Sequence, residues 1–407
     1  MIINGDCLEE MRKMEENSVD SIVTDPPYGL DFMGKDWDAG VPGKQFWIEA
    51  LRVAKPGAHL VAFGGTRTWH RLACAIEDAG WELRDNLAWV YASGMPKGQN
   101  ISKALEKAAG KEVSSEGYVP NGKNNTHGKG WGGGHKTSEF EPTEELAKKY
   151  NGWNTTLKPC FEPIIMARKP LCGTVVQNVK EYGTGGINID ACRVGTEPSG
   201  WNGLTASREG SAWDSSGFKG TDEDPEVSTG RWPGNFLHDG SEEVTNLFPY
   251  TSKGKASMRG LRVGGEIYGS GKGASGPNTL RGHDDEGGSA ARFFYCSKAS
   301  RLDRDEGCEE IEARNNMRVN APRNSEEEKH ATIRHNYHVS VKPFSLMEWL
   351  VKLVTPDGGV VLDPFCGSGS TGKAAVANGF EFIGIDLDEG YCEIARKRVA
   401  FAKGLLA

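Results

Sequence analysis

VVLDPFCGSGSTGKAA, residues 360–375, is a short apolar run that ends in an acid and a proline, turns through a glycine-rich loop and continues into helix formers. A buried strand, a tight loop and a helix N-terminus in that order make a binding turn for a nucleotide-like ligand. Only one strand-like segment, FEFIGID (380–386), and one helix-like segment (388–402) follow it. A right-handed crossover joins the two strands. The strands that complete their sheet are therefore expected from the other end of the chain.

Residues 1–91 supply them. IIN (2–4), DSIVTD (20–25), AHLVAFG (58–64) and ELRDNLAWVY (82–91) read as strands. CLEEMRKMEE (7–16), KQFWIEALRVA (44–54, stopped by Pro56-Gly57) and TWHRLACAIEDAG (68–80) read as helices. Buried apolar strands alternating with helices specify a parallel α/β sheet. CFEPIIMARKP (160–170) is one further strand, and FSLMEWLVKLV (344–354) a helix. Residues 95–156 and 171–335 are rich in loops, with helices expected near 174–182 and 241–248 and a strand at RFFYCSK (292–298). The two ends are thus two pieces of one circularly permuted sheet.

A chain of 407 residues is long enough for a large core and two lobes. Its 54 glycines are roughly twice the usual share and cluster in the middle. No apolar run approaches the roughly 20 residues of a membrane span. The start, MIINGDCLEEM, lacks the basic-then-apolar pattern of a signal peptide, so a cytoplasmic protein is expected. Nine cysteines, none in CxxC, suit reduced thiols. Cys296 and Cys308 with His330, His335 and His338 match no standard zinc spacing, and no metal is expected. A net charge of −8 leaves a nucleic-acid surface only as a local patch.

Three readings compete for the loop. Gly367, Gly369 and Gly372 satisfy GxGxxG, but a nicotinamide-type domain needs several strands after it. Gly367, Gly372 and Lys373 come close to GxxxxGK[ST], but Ala374 stands where a hydroxyl would ligate Mg²⁺. The third reading also uses Asp363-Pro364-Phe365. An acid at one strand end, a tight loop, and a second acid, Asp386, at the next strand end suit a ligand with an amino-acid cation and a ribose, whose hydroxyls Asp386 can accept. S-adenosylmethionine is such a ligand.

A second motif bears on the chemistry. DSIVTDPPYGL (20–30) ends a buried strand with Asp25, Pro26, Pro27 and Tyr28. The prolines fix φ, and Pro27 keeps Pro26 out of a helix. The result is a rigid ledge at the carboxyl edge of the sheet, where open α/β folds bind ligands. It presents a carboxylate, a backbone carbonyl and an aromatic face. That set fits methylation of an exocyclic base amine, a poor nucleophile whose lone pair is delocalised into the ring. Asp25 and the Pro26 carbonyl each accept one N–H and localise the lone pair, Tyr28 stacks on the base, and positioning with electrostatics carries the rate. A base inside a duplex reaches such a ledge only by flipping out.

On these paired motifs the sequence resembles the DNA amino-methyltransferases of the β arrangement, in which the catalytic motif comes first, the target-recognition region follows and the cofactor motif is last. INGDCLEEM (3–11), DPPYGLDFMGKDWD (25–38), HVSVKPFSLMEWLVKLVTP (338–356) and FIGIDLDEGYCEIARKRV (382–399) agree with it. LKPCFEPIIMARKP (157–170), GRWPGNFLHDGSEEV (230–244) and FFYCSKASRLDRDEG (293–307) resemble phage- and prophage-type members. The resemblance implies a Rossmann-like, seven-stranded, S-adenosylmethionine-dependent methyltransferase sheet. Its parts would be a catalytic half (1–98), a loop-rich insertion (99–156), a returning strand (157–170), a target-recognition region (171–337) and a cofactor-binding half (338–407).

It also implies roles. Asp363, Pro364, Phe365, Gly367 and Gly369 wrap the methionine moiety, Asp386 takes the ribose, and Asp6 with Cys7 lies beside the adenine. Ser340, Lys342 and Pro343 close over the cofactor, in a motif that the family writes His-Pro-Thr-x-Lys-Pro. An aspartate at position 25 favours adenine N6, with cytosine N4 as the alternative. An RNA or protein-glutamine methyltransferase usually shows asparagine there, and a non-catalytic DNA-binding remnant would not need Asp25 or Tyr28. Double-stranded DNA is the implied partner; a homodimer and a cognate restriction endonuclease are further partners consistent with the family. For DNA contact, the basic, glycine-rich stretches 128–136 and 251–282 stand out, the latter carrying Lys253, Arg259, Arg262 and Tyr268.

Overall fold

The structure, a computed structural model, describes residues 1–30, 40–94, 98–111, 118–120, 134–136, 140–199, 228–254, 257–263, 274–281, 287–297, 302–315, 333–338 and 340–404. Nine of the described strands form one sheet, numbered here along the chain: β1 (Ile2–Asn4), β2 (Val19–Thr24), β3 (Ala54–Phe63), β4 (Glu82–Val90), β5 (Phe161–Arg168), β6 (Phe236–His238), β7 (Tyr295–Cys296), β8 (Val360–Asp363) and β9 (Glu381–Asp386). Their spatial order is β1-β9-β8-β2-β3-β5-β4-β6-β7. β5 runs antiparallel to both neighbours; every other pair is parallel.

The C-terminal strands β8 and β9 therefore sit between β1 and β2. Ile3 pairs with Ile385, and Leu362 with Ile22. Every residue of β2 is buried, and successive side chains face opposite layers, as the two-residue period of a strand requires. Ile22 belongs to one core cluster with Met11, Trp47, Val53, Leu72 and Ile76, from the helices Cys7–Lys13, Lys44–Val53 and Trp69–Asp78. Val23 belongs to the opposite core cluster, with Leu346, Leu350, Val376 and Val399 from the helices Phe344–Val354, Ser370–Ala377 and Glu389–Gly404. The sheet is covered on both faces.

Polar groups in β2 also hold the two ends of the chain in register. The buried Asp20 carboxylate accepts from Lys55 Nζ at 2.6 Å and from the Val360 amide at 2.9 Å. The Ser21 and Thr355 hydroxyls lie 2.7 Å apart in the interior. Buried polar atoms require partners, and these find theirs only in the paired arrangement.

The structure corrects several expectations. The sheet has nine described strands rather than seven, because β6 and β7, from within residues 171–337, extend it beyond β4. β6 is three residues long between Pro233-Gly234 and Asp239-Gly240, too short for an alternating signal. Pro56-Gly57 does not end a helix in a loop. Lys44–Val53 runs straight into β3, and the pair falls where its pairing with β2 slips from Val19–Ala54 to Ser21–His59, a bulge that tolerates the missing amide of proline and the φ of +77° at Gly57. Among the described residues of RFFYCSK, Tyr295–Cys296 is strand, preceded by a 3₁₀ turn over Ala290–Phe293.

Residues 128–133, 255–256, 264–273 and 282 of the basic stretches, and His330, lie outside the described residues. Among the described residues no group of three or more His, Cys, Asp or Glu could hold a metal, and no helix is long and apolar enough to cross a membrane.

Gly369 precedes the helix Ser370–Ala377 with φ +74°, and a Cβ there would lie 2.9 Å from both Cα and Cβ of Ala395. Gly369→Ala is expected to destabilise the fold by about 1–3 kcal/mol, combining left-handed strain with a backbone clash. Urea unfolding should show a lower midpoint at unchanged slope.

Candidate active site

A cleft of ≈ 910 Å³ opens at the carboxyl edge of the sheet. Asp6, Asp25, Tyr28, Phe365, Asp386 and Lys342 are among its lining residues, delivered by β1, β2, β8, β9 and the segment before the helix Phe344–Val354. The glycine loop and the proline ledge thus face one space.

At the loop, Asp363 is 2% exposed, and its carboxylate is engaged on both oxygens. Oδ1 accepts from the Thr24 hydroxyl at 2.6 Å and the Phe365 amide at 3.1 Å; Oδ2 accepts from the Thr371 hydroxyl at 2.6 Å. Burial raises its pKa to about 7, against the lowering effect of the Thr24 and Thr371 hydroxyls. Asp386 Oδ2 accepts the Gly367 amide at 2.7 Å, and Oδ1 the Asp388 amide at 3.0 Å. Burial raises this carboxyl too, and the same amides partly offset it.

Gly367 has φ +50°, and a Cβ there would come 2.8 Å from Nε2 of His338. His338 Nδ1 lies 2.6 Å from the Ser340 carbonyl oxygen. The Ser340 amide is farther from Nδ1, at 3.3 Å; the shorter contact, to a carbonyl that only accepts, assigns the proton to Nδ1 and leaves Nε2 of the neutral ring an acceptor. Burial pushes the His338 pKa down to about 4, which keeps the ring neutral.

At the ledge, Lys342 Nζ lies 2.7 Å from Asp25 Oδ2 and 3.2 Å from Glu162 Oε2, with its side chain 6% exposed. The Tyr28 hydroxyl is 2.8 Å from Asp25 Oδ1, 3.0 Å from Glu162 Oε2 and 3.1 Å from Lys342 Nζ. Tyr91 Oη donates to Glu162 Oε1 at 3.3 Å. Burial works against the Lys342 ammonium, but Asp25 and Glu162 outweigh it and hold its pKa above the usual lysine value. Burial, then Asp25 and Glu162, push the Tyr28 phenol well above its ordinary range. No hydrogen bond among the described residues uses the Pro26 carbonyl oxygen.

The chain matches the family model described as DNA methylase over residues 19–397. It belongs to the DNA methylase family. This makes it an enzyme, a DNA methyltransferase of the N6/N4 group. It is similar to the type II methyltransferase M.HindIII of Haemophilus influenzae, 22% identical over 99% of this chain and 96% of that one. A 62-residue stretch is 47% identical to the type II methyltransferase M2.DpnII of Streptococcus pneumoniae, covering 15% of this chain and 23% of that one. Among solved structures, the M1.HpyAVI–SAM complex aligns over 98% of both chains with 15% identity and a TM-score of 0.39.

In this methylase the expected residues fall into two groups. Asp25, Pro26, Pro27 and Tyr28 line the cleft together with Asp6, Cys7, Ser340, Asp363, Pro364, Phe365, Gly367 and Asp386. Asp6 also caps the helix Cys7–Lys13, its Oδ1 accepting from the amides of Leu8 and Glu9. Lys342 lines the cleft as well, with its ammonium at the ledge between two carboxylates. Gly369 does not line the cleft; it permits close packing on Ala395. Pro343 is likewise off the lining and caps the helix Phe344–Val354.

Sequence reasoning missed Glu162, Tyr91, Thr24, Thr371 and the role of His338. The one available signal for Glu162 was an acid at the mouth of an otherwise apolar strand, CFEPIIMARKP.

Asp363 supplies a pH test. Its carboxyl keeps its proton in the folded state up to about pH 7, whereas an unfolded aspartate ionises near pH 4. Between those values the folded chain binds the extra proton, so this residue's contribution to stability falls as pH rises. The stability difference between wild type and Asp363→Asn should therefore shift against wild type from about pH 5 to about pH 8. Urea unfolding at each pH measures it; a pH-independent difference contradicts the assignment.

Proposed function

We propose that this methylase transfers a methyl group from S-adenosylmethionine to the N6 amine of adenine flipped out of double-stranded DNA. The observation that carries the reading is that the Asp25–Tyr28 ledge and the Gly367 loop open into one cleft. We read the chain order as a circular permutation, with residues 171–337 as target-recognition region.

The lining suits a cationic, diol-bearing ligand. Asp6, Asp386 and Asp388 line the loop end, and Nε2 of neutral His338 adds an acceptor. Lys342 is the one Lys or Arg among the described lining residues, and it is held by Asp25 and Glu162. A polyphosphate has little to bind here. Lys373, the lysine of the near-match to a phosphate loop, is buried in ion pairs with Asp303 at 2.9 Å and Glu306 at 2.7 Å, outside the cleft. S-adenosylmethionine supplies a sulfonium methyl, whose transfer forms a nitrogen–carbon bond, leaves the carbon–sulfur electron pair on sulfur, and gives a cationic nitrogen that sheds one proton. Asp386, Asp6, His338 and the loop would hold it.

At the ledge Asp25 and the Pro26 carbonyl accept the two N–H bonds of the amine. They fix it and favour the positive charge that develops on nitrogen, an electrostatic effect strongest where water is excluded. Tyr28 provides the aromatic surface for the base. An aspartate rather than a serine at position 25 favours adenine.

Asp25→Ala should lower methyl transfer to duplex DNA by at least about 10³-fold while S-adenosylmethionine still binds within about threefold of wild type. Labelled-methyl incorporation and calorimetry measure the two. Near-normal turnover of the variant would sink the ledge mechanism.

A further inference from the structure

The ledge holds two charged groups, Lys342 and Glu162, that the proposed chemistry does not use. Asp25 and Lys342, 2.7 Å apart, form by themselves a neutral ion pair. A neutral pair beside the acceptor amine is a poor device for favouring positive charge there, since the ammonium opposes what the carboxylate promotes. Glu162 changes this. It lies 3.2 Å from the same ammonium, and its side chain is 18% exposed. It also comes from a different strand: β5 is antiparallel, so its first residues reach the carboxyl edge where β2 ends. With Glu162 the cluster carries a net charge of −1.

Resting on the adenine-amine reading above, we propose that Glu162 is a positioning residue. It offsets the charge of Lys342 and holds that side chain, so that Asp25 faces the acceptor amine with its negative charge effective. Its second contact, to the Tyr28 hydroxyl at 3.0 Å, orients the ring on which the base would lie, and Tyr91 secures Glu162 from the other side at 3.3 Å. Lys342 in turn keeps two acids from repelling one another across the ledge. Removing Glu162 leaves a neutral cluster; removing Lys342 leaves −2; removing both charges restores −1.

The charge cycle tests this. Methyl transfer to duplex DNA is measured for wild type, Glu162→Gln, Lys342→Met and the double variant, with kcat and KM separated. Cofactor affinity by calorimetry and urea midpoints are measured on the same proteins. Glu162→Gln should lower kcat by roughly 10- to 100-fold, the size of a one-charge change near the reacting atoms, with KM and cofactor affinity changed by less than about threefold. In the Lys342→Met background the same substitution should cost less than about threefold. Glu162→Asp, which keeps the charge, should stay within about tenfold of wild type and covers the case in which the glutamine variant fails to fold. Equal losses from Glu162→Gln in both backgrounds would overturn the proposal, as would a loss confined to KM or to the urea midpoint. A wild-type protein that methylates cytosine, or nothing, would instead overturn the reading on which it rests.

Discussion

The Asp363 carboxylate joins the two halves of this chain at the place where they must meet. It stands at the end of β8 and accepts from Thr24 at the end of β2 and Thr371 at the head of the following helix. One group thus ties the strand that leads into the proline ledge to the loop beside it. The distance between ledge and loop, on which any transfer between them depends, is set by this clasp and by the β2–β8 pairing behind it. Burial that raises the Asp363 pKa to about 7 is the cost of placing an acid there, and the two hydroxyls and one amide limit that cost.

From that junction the cleft divides by charge. The loop end is lined by acids and the neutral His338 ring; the ledge end holds a lysine shared by two carboxylates. A phosphate-rich ligand finds no basic side chain at liberty among the described lining residues, whereas a cationic donor and a weakly nucleophilic amine find acceptors. The same logic explains why the Lys342 ammonium sits at the ledge. A buried ammonium needs counter-charges, and the strongest pair lies between β2 and β5.

The parts of the fold that were legible in the sequence are those where the local pattern and the final environment agree. β2, with Val19, Ile22 and Val23, and β8, with Val360, Val361 and Leu362, carry apolar residues into the sheet interior, and the turns after them carry their own proline or glycine chemistry. β6 was not legible, and β7 was legible as a strand but not as part of this sheet, because two- and three-residue strands owe their place to the growing edge beyond β4 rather than to their own periodicity. The same division holds in the site. Asp25 and Asp386 announce themselves at strand ends. Glu162 does not, since only the antiparallel direction of β5 brings its first residues to the edge where the parallel strands finish, and direction is a property of the sheet. Lys342 and Gly369 were legible as motif residues but not in their contacts, which depend on what lies opposite them.

The most direct test of the account is the modified base itself. DNA from cells that express the protein would be read by methylation-sensitive long-read sequencing, beside cells that express Asp25→Ala. The account predicts N6-methyladenine at one short sequence motif with the wild-type protein and none with the variant. N4-methylcytosine at such a motif, or unmodified DNA from a folded protein that binds S-adenosylmethionine, would contradict it.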